Sequence, residues 1–338
     1  VIGPSDVSAI LISILMGALV TPVSAWLARR TFGPGAGATA SALAALSGFH
    51  VAFSRMALTD ATFSLAWLLG LIAAQRFLER PGLMTAVTLG LATGMAQLVK
   101  YSGWTVGLAV MLAAAATAVL DPSRRTIAYQ RRVWGWGAAA AVVAAVMYAP
   151  WYRYVENHGG YARLMAHHRS YVGSPTTWLP HWVEQMEQAS ALSGGFAWNL
   201  AAVAAVVAGA MIGGAGGRPS RSGLAGLVAL AAAAVVAPTT LWWIGLTLAA
   251  FAWRDASPGL QLLAVAWVGL SILTPFYHPY ARLWLPIQTL GWLAAAGIVR
   301  GLLNPTEGRR RLSSWVVACC CGAAIAQTLL MGTTFGLG

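Results

Sequence analysis

The chain has 338 residues, 58% of them hydrophobic and only 9% charged, with a mean hydropathy of +0.68. Soluble domains carry about 25% charged residues, so an ordinary soluble enzyme is excluded and an all-α polytopic membrane protein is indicated. A net charge of +12 would suggest nucleic acid in a soluble protein, but in a membrane protein the positive-inside bias explains it, and no nucleic-acid partner is expected.

The chain opens at Val1 almost directly on an apolar run, with no signal-peptide pattern, and reads as lacking its true N-terminus. Apolar runs predict spans near 7–28, 34–52, 61–77, 83–99, 103–120, 133–150, 195–213, 223–237, 239–253, 258–276, 283–301 and 313–332. A full span needs about 20 residues. The 223–253 stretch is therefore either a tilted hairpin turning at Pro238-Thr239-Thr240 or one span with a broken helix. Gly90 and Gly94 form a GxxxG pair suited to close helix packing. Gly213-Gly214-Ala215-Gly216-Gly217 reads as a flexible loop.

Charge sets the orientation. With Arg29 and Arg30 in the cytoplasm and spans alternating, most arginines fall inside. Arg55, Lys100, Arg153, Arg163, Arg169 and Arg282 fall outside, with Asp60, Glu156, Glu184, Glu187 and the six histidines on or near that face. The longest non-spanning stretch, 151–194, is predicted as an outer interfacial loop within a single transmembrane domain, 1–338. Inside it Trp182, Met186 and Ala189 repeat at helical spacing, with Glu184, Gln185 and Gln188 facing elsewhere, as in a short interfacial helix. Cys319, Cys320 and Cys321 are consecutive, so their side chains do not share a helix face. They read as packing residues rather than a disulfide or metal site.

Four outer-side groups can carry chemistry, since ionisable residues at a membrane edge are costly to place. Arg55 and Asp60 lie five apart, so on one continuous helix they would diverge by roughly 140°; an intervening loop would let both face one cavity. Lys100-Tyr101 ends an apolar run with the chain's single lysine. His278, Tyr280 and Arg282 precede a span with Pro286 near its start. Trp151 and Tyr152 lead into Glu156. Each also has a plain reading as a snorkelling anchor, helix cap or aromatic belt. His167, His168 and His181 match no recognised metal-ligand spacing. No metal or cofactor is expected, and the chain has no nucleotide-binding glycine motif.

In order, Ala28-Arg29-Arg30-Thr31-Phe32-Gly33, His50-Val51-Ala52-Phe53-Ser54-Arg55 with Leu58-Thr59-Asp60, Leu98-Val99-Lys100, Ala149-Pro150-Trp151-Tyr152 and Tyr280-Ala281-Arg282-Leu283-Trp284-Leu285-Pro286 resemble GT-C superfamily membrane glycosyltransferases. The likeness is to the branch of dolichyl-phosphate-mannose protein mannosyltransferases and aminoarabinose lipid A transferases. It implies transfer of a sugar from a polyprenyl-phosphate donor to a glycan, lipid or protein acceptor. It also implies a bacterial inner membrane with the active site facing outward, and about thirteen spans in all. In that reading Arg55, Lys100 and Arg282 bind the donor phosphate, Asp60 is a supporting acid, and the main base lies in a loop upstream of Val1. Tyr101, Trp151, Tyr152, Glu156, His278 and Tyr280 line the substrate cavity. The alternative is a multi-pass transporter or flippase of a lipid-linked solute, which calls for internal repeats and mid-span charges. A non-catalytic scaffold would need no charges gathered on one face.

Overall fold

The computed structural model describes residues 6–192, 225, 228–229, 244–255 and 257–303, and the described residues are helical apart from turns and one isolated bridge, Val172 to Tyr277. The predicted spans at 195–213 and 313–332, nearly all of the span at 223–237, the glycine-rich loop and the three cysteines lie outside the described residues. So does the Pro238-Thr239-Thr240 turn.

The helices are α1 (Asp6–Phe32), α2 (Pro34–Ala45), α3 (Gly48–Ser54), α4 (Asp60–Glu79), α5 (Leu83–Val99), α6 (Thr105–Leu120) and α7 (Ile127–Asn157), followed by α8 (Gly160–Arg169), α9 (Trp178–Leu192), α10 (Leu246–Asp255), α11 (Pro258–Leu273) and α12 (Leu285–Leu303). Among the described residues, five stretches are long and apolar enough to cross a membrane: Ile10–Phe32, Asp60–Glu79, Tyr101–Leu120, Ile127–Asn157 and Pro258–Phe276. The chain is an integral membrane protein.

Two predicted elements take a different form. The span expected at 34–52 is broken: α2 and α3 meet at 59°, and Ser47 caps α3 by accepting the His50 N–H at 3.2 Å. The span expected at 133–150 does not stop at Pro150. α7 runs through it to Asn157; a proline removes one intrahelical hydrogen bond but does not by itself end a helix. Residues 151–157 are therefore helix, and α8 and α9 fill most of the remaining segment.

α4 is the central helix. Trp67, Leu68, Leu71, Phe77 and Leu78 on it are fully buried, and Trp67 Nε1 donates to Thr105 Oγ1 on α6 at 3.1 Å. The GxxxG pair works as expected. A Cβ at Gly90 would lie 2.5 Å from the Ala140 carbonyl oxygen, and one at Gly94 would lie 3.0 Å from Met147 Sδ, so only glycine lets α5 approach α7 this closely.

Paired contacts sort the helix ends. At one end Arg30 pairs with Glu79 at 2.5 Å, Arg124 with Asp121 at 3.2 Å, and the Tyr129 hydroxyl donates to the Leu78 carbonyl at 2.6 Å. The other end gathers the start of α4, the end of α5, helices α8 and α9, and the 274–284 connection between α11 and α12. The Gly173 N–H donates to the Phe276 carbonyl at 2.6 Å, and Trp178 Nε1 to the Ile272 carbonyl at 2.9 Å.

Candidate functional site

Asp60 is the first residue of α4, where the helix N-terminus favours a carboxylate. Its side chain is 6% exposed and forms an ion pair with Lys100, whose side chain is 24% exposed. The Lys100 ammonium also lies 5.7 Å from the Phe63 ring centroid. Lys100 ends α5 in an extended conformation and starts a tight 3-10 turn, Tyr101–Trp104. That turn is closely fitted. A Cβ at Gly103 would lie 2.2 Å from the Gln97 backbone nitrogen. Gln97 Oε1 accepts the Trp104 N–H at 2.7 Å, and Thr105 Oγ1 donates to the Ser102 carbonyl at 2.7 Å. Thr105 Oγ1, which accepts from Trp67 Nε1, thus ties the turn after Lys100 to α4.

From this pair a train of rings leads to the arginine. Tyr101 meets His168 edge-on at 5.4 Å. His168 Nδ1 lies 2.9 Å from the Tyr277 hydroxyl, and Tyr171 packs against both Tyr277 and His278 at 5.8 Å. His278 stacks on Tyr280 at 4.3 Å, and the Arg282 guanidinium sits 4.6 Å over the Tyr280 ring. Burial lowers the His168 pKa, and the neighbouring His167 adds to the shift. Burial raises the Tyr277 pKa, with Tyr171 and Tyr280 adding. Near pH 7 the imidazole is therefore neutral and the phenol protonated, so Tyr277 can donate its proton to His168 Nδ1.

Trp151, Tyr152 and Glu156 belong to an adjoining cluster on the exposed end of α7. Tyr152 stacks on Tyr161 at 4.8 Å, Tyr161 and Tyr148 share a hydroxyl–hydroxyl hydrogen bond, and Glu156 Oε1 accepts the Tyr161 N–H at 3.3 Å. Burial pushes the Tyr161 pKa up, the Tyr148 bond reinforces this, and Tyr101 lies within electrostatic reach. Trp151 stacks on Tyr154 at 5.3 Å.

The structure brings Asp60, Lys100, Tyr101, His278, Tyr280 and Arg282 onto one end through His168, Tyr171 and Tyr277. These last three were not among the site residues expected from sequence; for His168 and Tyr171 the density of His and Tyr between 148 and 181 was the signal, and Tyr277 stands next to the expected His278. Arg55 follows α3, with the expected loop between it and Asp60, but it is exposed and makes no ion pair among the described residues. Lys100, also expected as an outer cation, is engaged by the Asp60 carboxylate. Gln185 is a correction. It does not face away from the core but is fully buried, because α9 is covered on two sides, by the core and by the 274–284 connection. Beside that connection Trp178, Trp182, Met186, Trp267 and Trp284 line an apolar cavity of ≈ 200 Å³. Among the described residues, no group of three or more His, Cys, Asp or Glu side chains is placed to hold a metal ion.

A comparison with curated proteins finds no match. Among solved structures, ArnT from Cupriavidus metallidurans in the apo state is similar over 88% of this chain and 64% of that one, with 17% identity and a TM-score of 0.40. The chain spans 64% of the length of that structure. Residues 1–152 match the family model of dolichyl-phosphate-mannose-protein mannosyltransferase. The matched stretch supplies Arg55, Asp60, Lys100, Trp151 and Tyr152.

Proposed function

We propose that this protein is an integral-membrane glycosyltransferase. It moves a sugar from a polyprenyl-phosphate donor to a glycan, lipid or protein acceptor at the outer face of a bacterial inner membrane. The observation that carries the reading is the part-buried Asp60–Lys100 pair on the same end as Arg282, within and beside a stretch that matches a family named for a lipid-phosphate sugar donor. A transporter reading would favour charges in mid-span, whereas Asp60 and Lys100 sit at helix termini.

A glycosyl phosphate already has a good leaving group, so the enzyme's task is to hold charge as it develops. An ammonium has three donors. One Lys100 N–H engages Asp60, leaving the others for phosphate oxygens, and Asp60 fixes the direction in which they point. Arg282 adds a planar guanidinium suited to two parallel hydrogen bonds with phosphate. Arg55 supplies an outer cation. The acceptor oxygen bonds to the anomeric carbon as the carbon–oxygen bond to phosphate breaks. The phosphate leaves with the electron pair, and the acceptor's proton passes to a carboxylate. The Trp-lined cavity beside Trp284 is the place for the apolar tail. Tyr101, Tyr152, Tyr280 and His278 offer ring faces and polar edges to the sugars. Outward orientation rests on the arginines gathered at the opposite end, where nucleotide sugars would be found.

The test is transfer by the full-length protein in proteoliposomes. A chemically defined polyprenyl-phosphate monosaccharide is expected to be consumed, and the corresponding nucleotide sugar ignored. Turnover of the nucleotide sugar without any lipid donor would overturn the reading.

A further inference from the structure

Arg282 lies in a short 3-10 turn, Ala281–Trp284, whose preceding residue, Tyr280, gives it no side-chain cap. The first backbone N–H groups of such a turn need partners from elsewhere. The partner here comes from α9: Gln188 Oε1 accepts the Ala281 N–H at 3.1 Å. The other end of the same amide is also held, because Gln188 Nε2 donates to Glu184 Oε1 at 3.2 Å. A carboxylate accepts and does not donate, so Glu184 selects the amide orientation that presents oxygen to Ala281. One turn away, Gln185 secures the far side of the segment. Its Oε1 accepts Trp284 Nε1 at 2.7 Å, and its Nε2 donates to the Thr274 carbonyl at 3.4 Å.

We propose that Glu184 and Gln188 are positioning residues that act as a cap supplied by α9, fixing the turn that aims Arg282 into the site. The inference rests on the phosphate-binding role proposed for Arg282. The Gln188 side chain is partly accessible, whereas Gln185 is fully buried, so the relay can be altered without opening the core.

The experiment measures Arg282 reactivity with phenylglyoxal by mass spectrometry, alongside transfer kinetics, in the full-length protein. Q188M keeps the side-chain volume and loses the acceptor. It is expected to speed Arg282 labelling and to lower kcat roughly tenfold, since small misplacements of a charge-stabilising group cost about this much or more, with acceptor KM unchanged. The double variant E184Q/Q188E reverses donor and acceptor within the pair but keeps an oxygen facing Ala281, and it is expected to restore both readouts. Unchanged labelling and kcat in Q188M would overturn the proposal. So would loss in Q188M that the double variant fails to restore, because that pattern reports packing alone. If labelling follows the relay but the wild type transfers nothing from a lipid donor, the positioning role stands and the proposed function falls.

Discussion

Lys100→Ala is expected to be the most damaging single substitution in the N-terminal half. It strips the counter-charge from Asp60, whose side chain is 6% exposed. Removing one partner of a buried pair leaves an uncompensated charge and costs on the order of 3–5 kcal/mol. Asp60→Ala is expected to cost less, about 1–2 kcal/mol, because the Lys100 side chain is 24% exposed and its ammonium can turn to water. The double variant should be more stable than the sum of the two losses, since neither charge is then stranded. Denaturant unfolding in detergent measures all three. Both single variants should also lose transfer, and Lys100→Arg should not recover it, because a planar guanidinium cannot replace a point ammonium seated against both Asp60 and Phe63. Equal stability of Lys100→Ala and wild type would mean that the pair is a surface contact.

Arg282→Ala is expected to give the opposite signature: a large loss of transfer with little loss of stability. The described contact of this side chain is a face-on approach to Tyr280, which contributes about 0.5–1 kcal/mol at an exposed site. Its proposed role is felt only as charge builds on the departing phosphate. Deleting one such donor typically lowers kcat by about 10²–10³-fold. Arg282→Lys should recover only part of this, because a lysine cannot make two parallel bonds to one phosphate. Transfer at the wild-type rate in Arg282→Ala would reduce the residue to a membrane anchor. Arg55, exposed at the end of α3, should show a smaller loss, since solvent screens its charge.

The membrane class, the approximate spans through α7 and the glycine contact between α5 and α7 were legible in the sequence, because each depends on local composition or short-range spacing. So was the gathering of polar residues at one end, which follows from alternating spans and arginine bias. The partner of Lys100 was not read, although Asp60, 40 residues away, lies across an antiparallel helix pair: the short connection between α4 and α5 brings the start of one beside the end of the other, and only the rotation of the two helices decides which side chains meet. The end of α7 was not legible either, because hydropathy marks where an apolar run stops, whereas α7 continues as an exposed helix to Asn157. Gln185 was misread for a related reason. Helical periodicity assigns one apolar face, whereas α9 buries two, and its second contact is with a connection almost a hundred residues later.

The central claim is that one end of this bundle grips the phosphate of a lipid. Native mass spectrometry of the purified protein with polyprenyl phosphate, beside the same chain length of free polyprenol, measures this directly. The wild type is expected to retain the phosphorylated lipid far better than the alcohol, and the Lys100→Ala/Arg282→Ala double variant to lose that preference. Equal retention of the two lipids by the wild type, or a preference that survives in the double variant, would contradict the account.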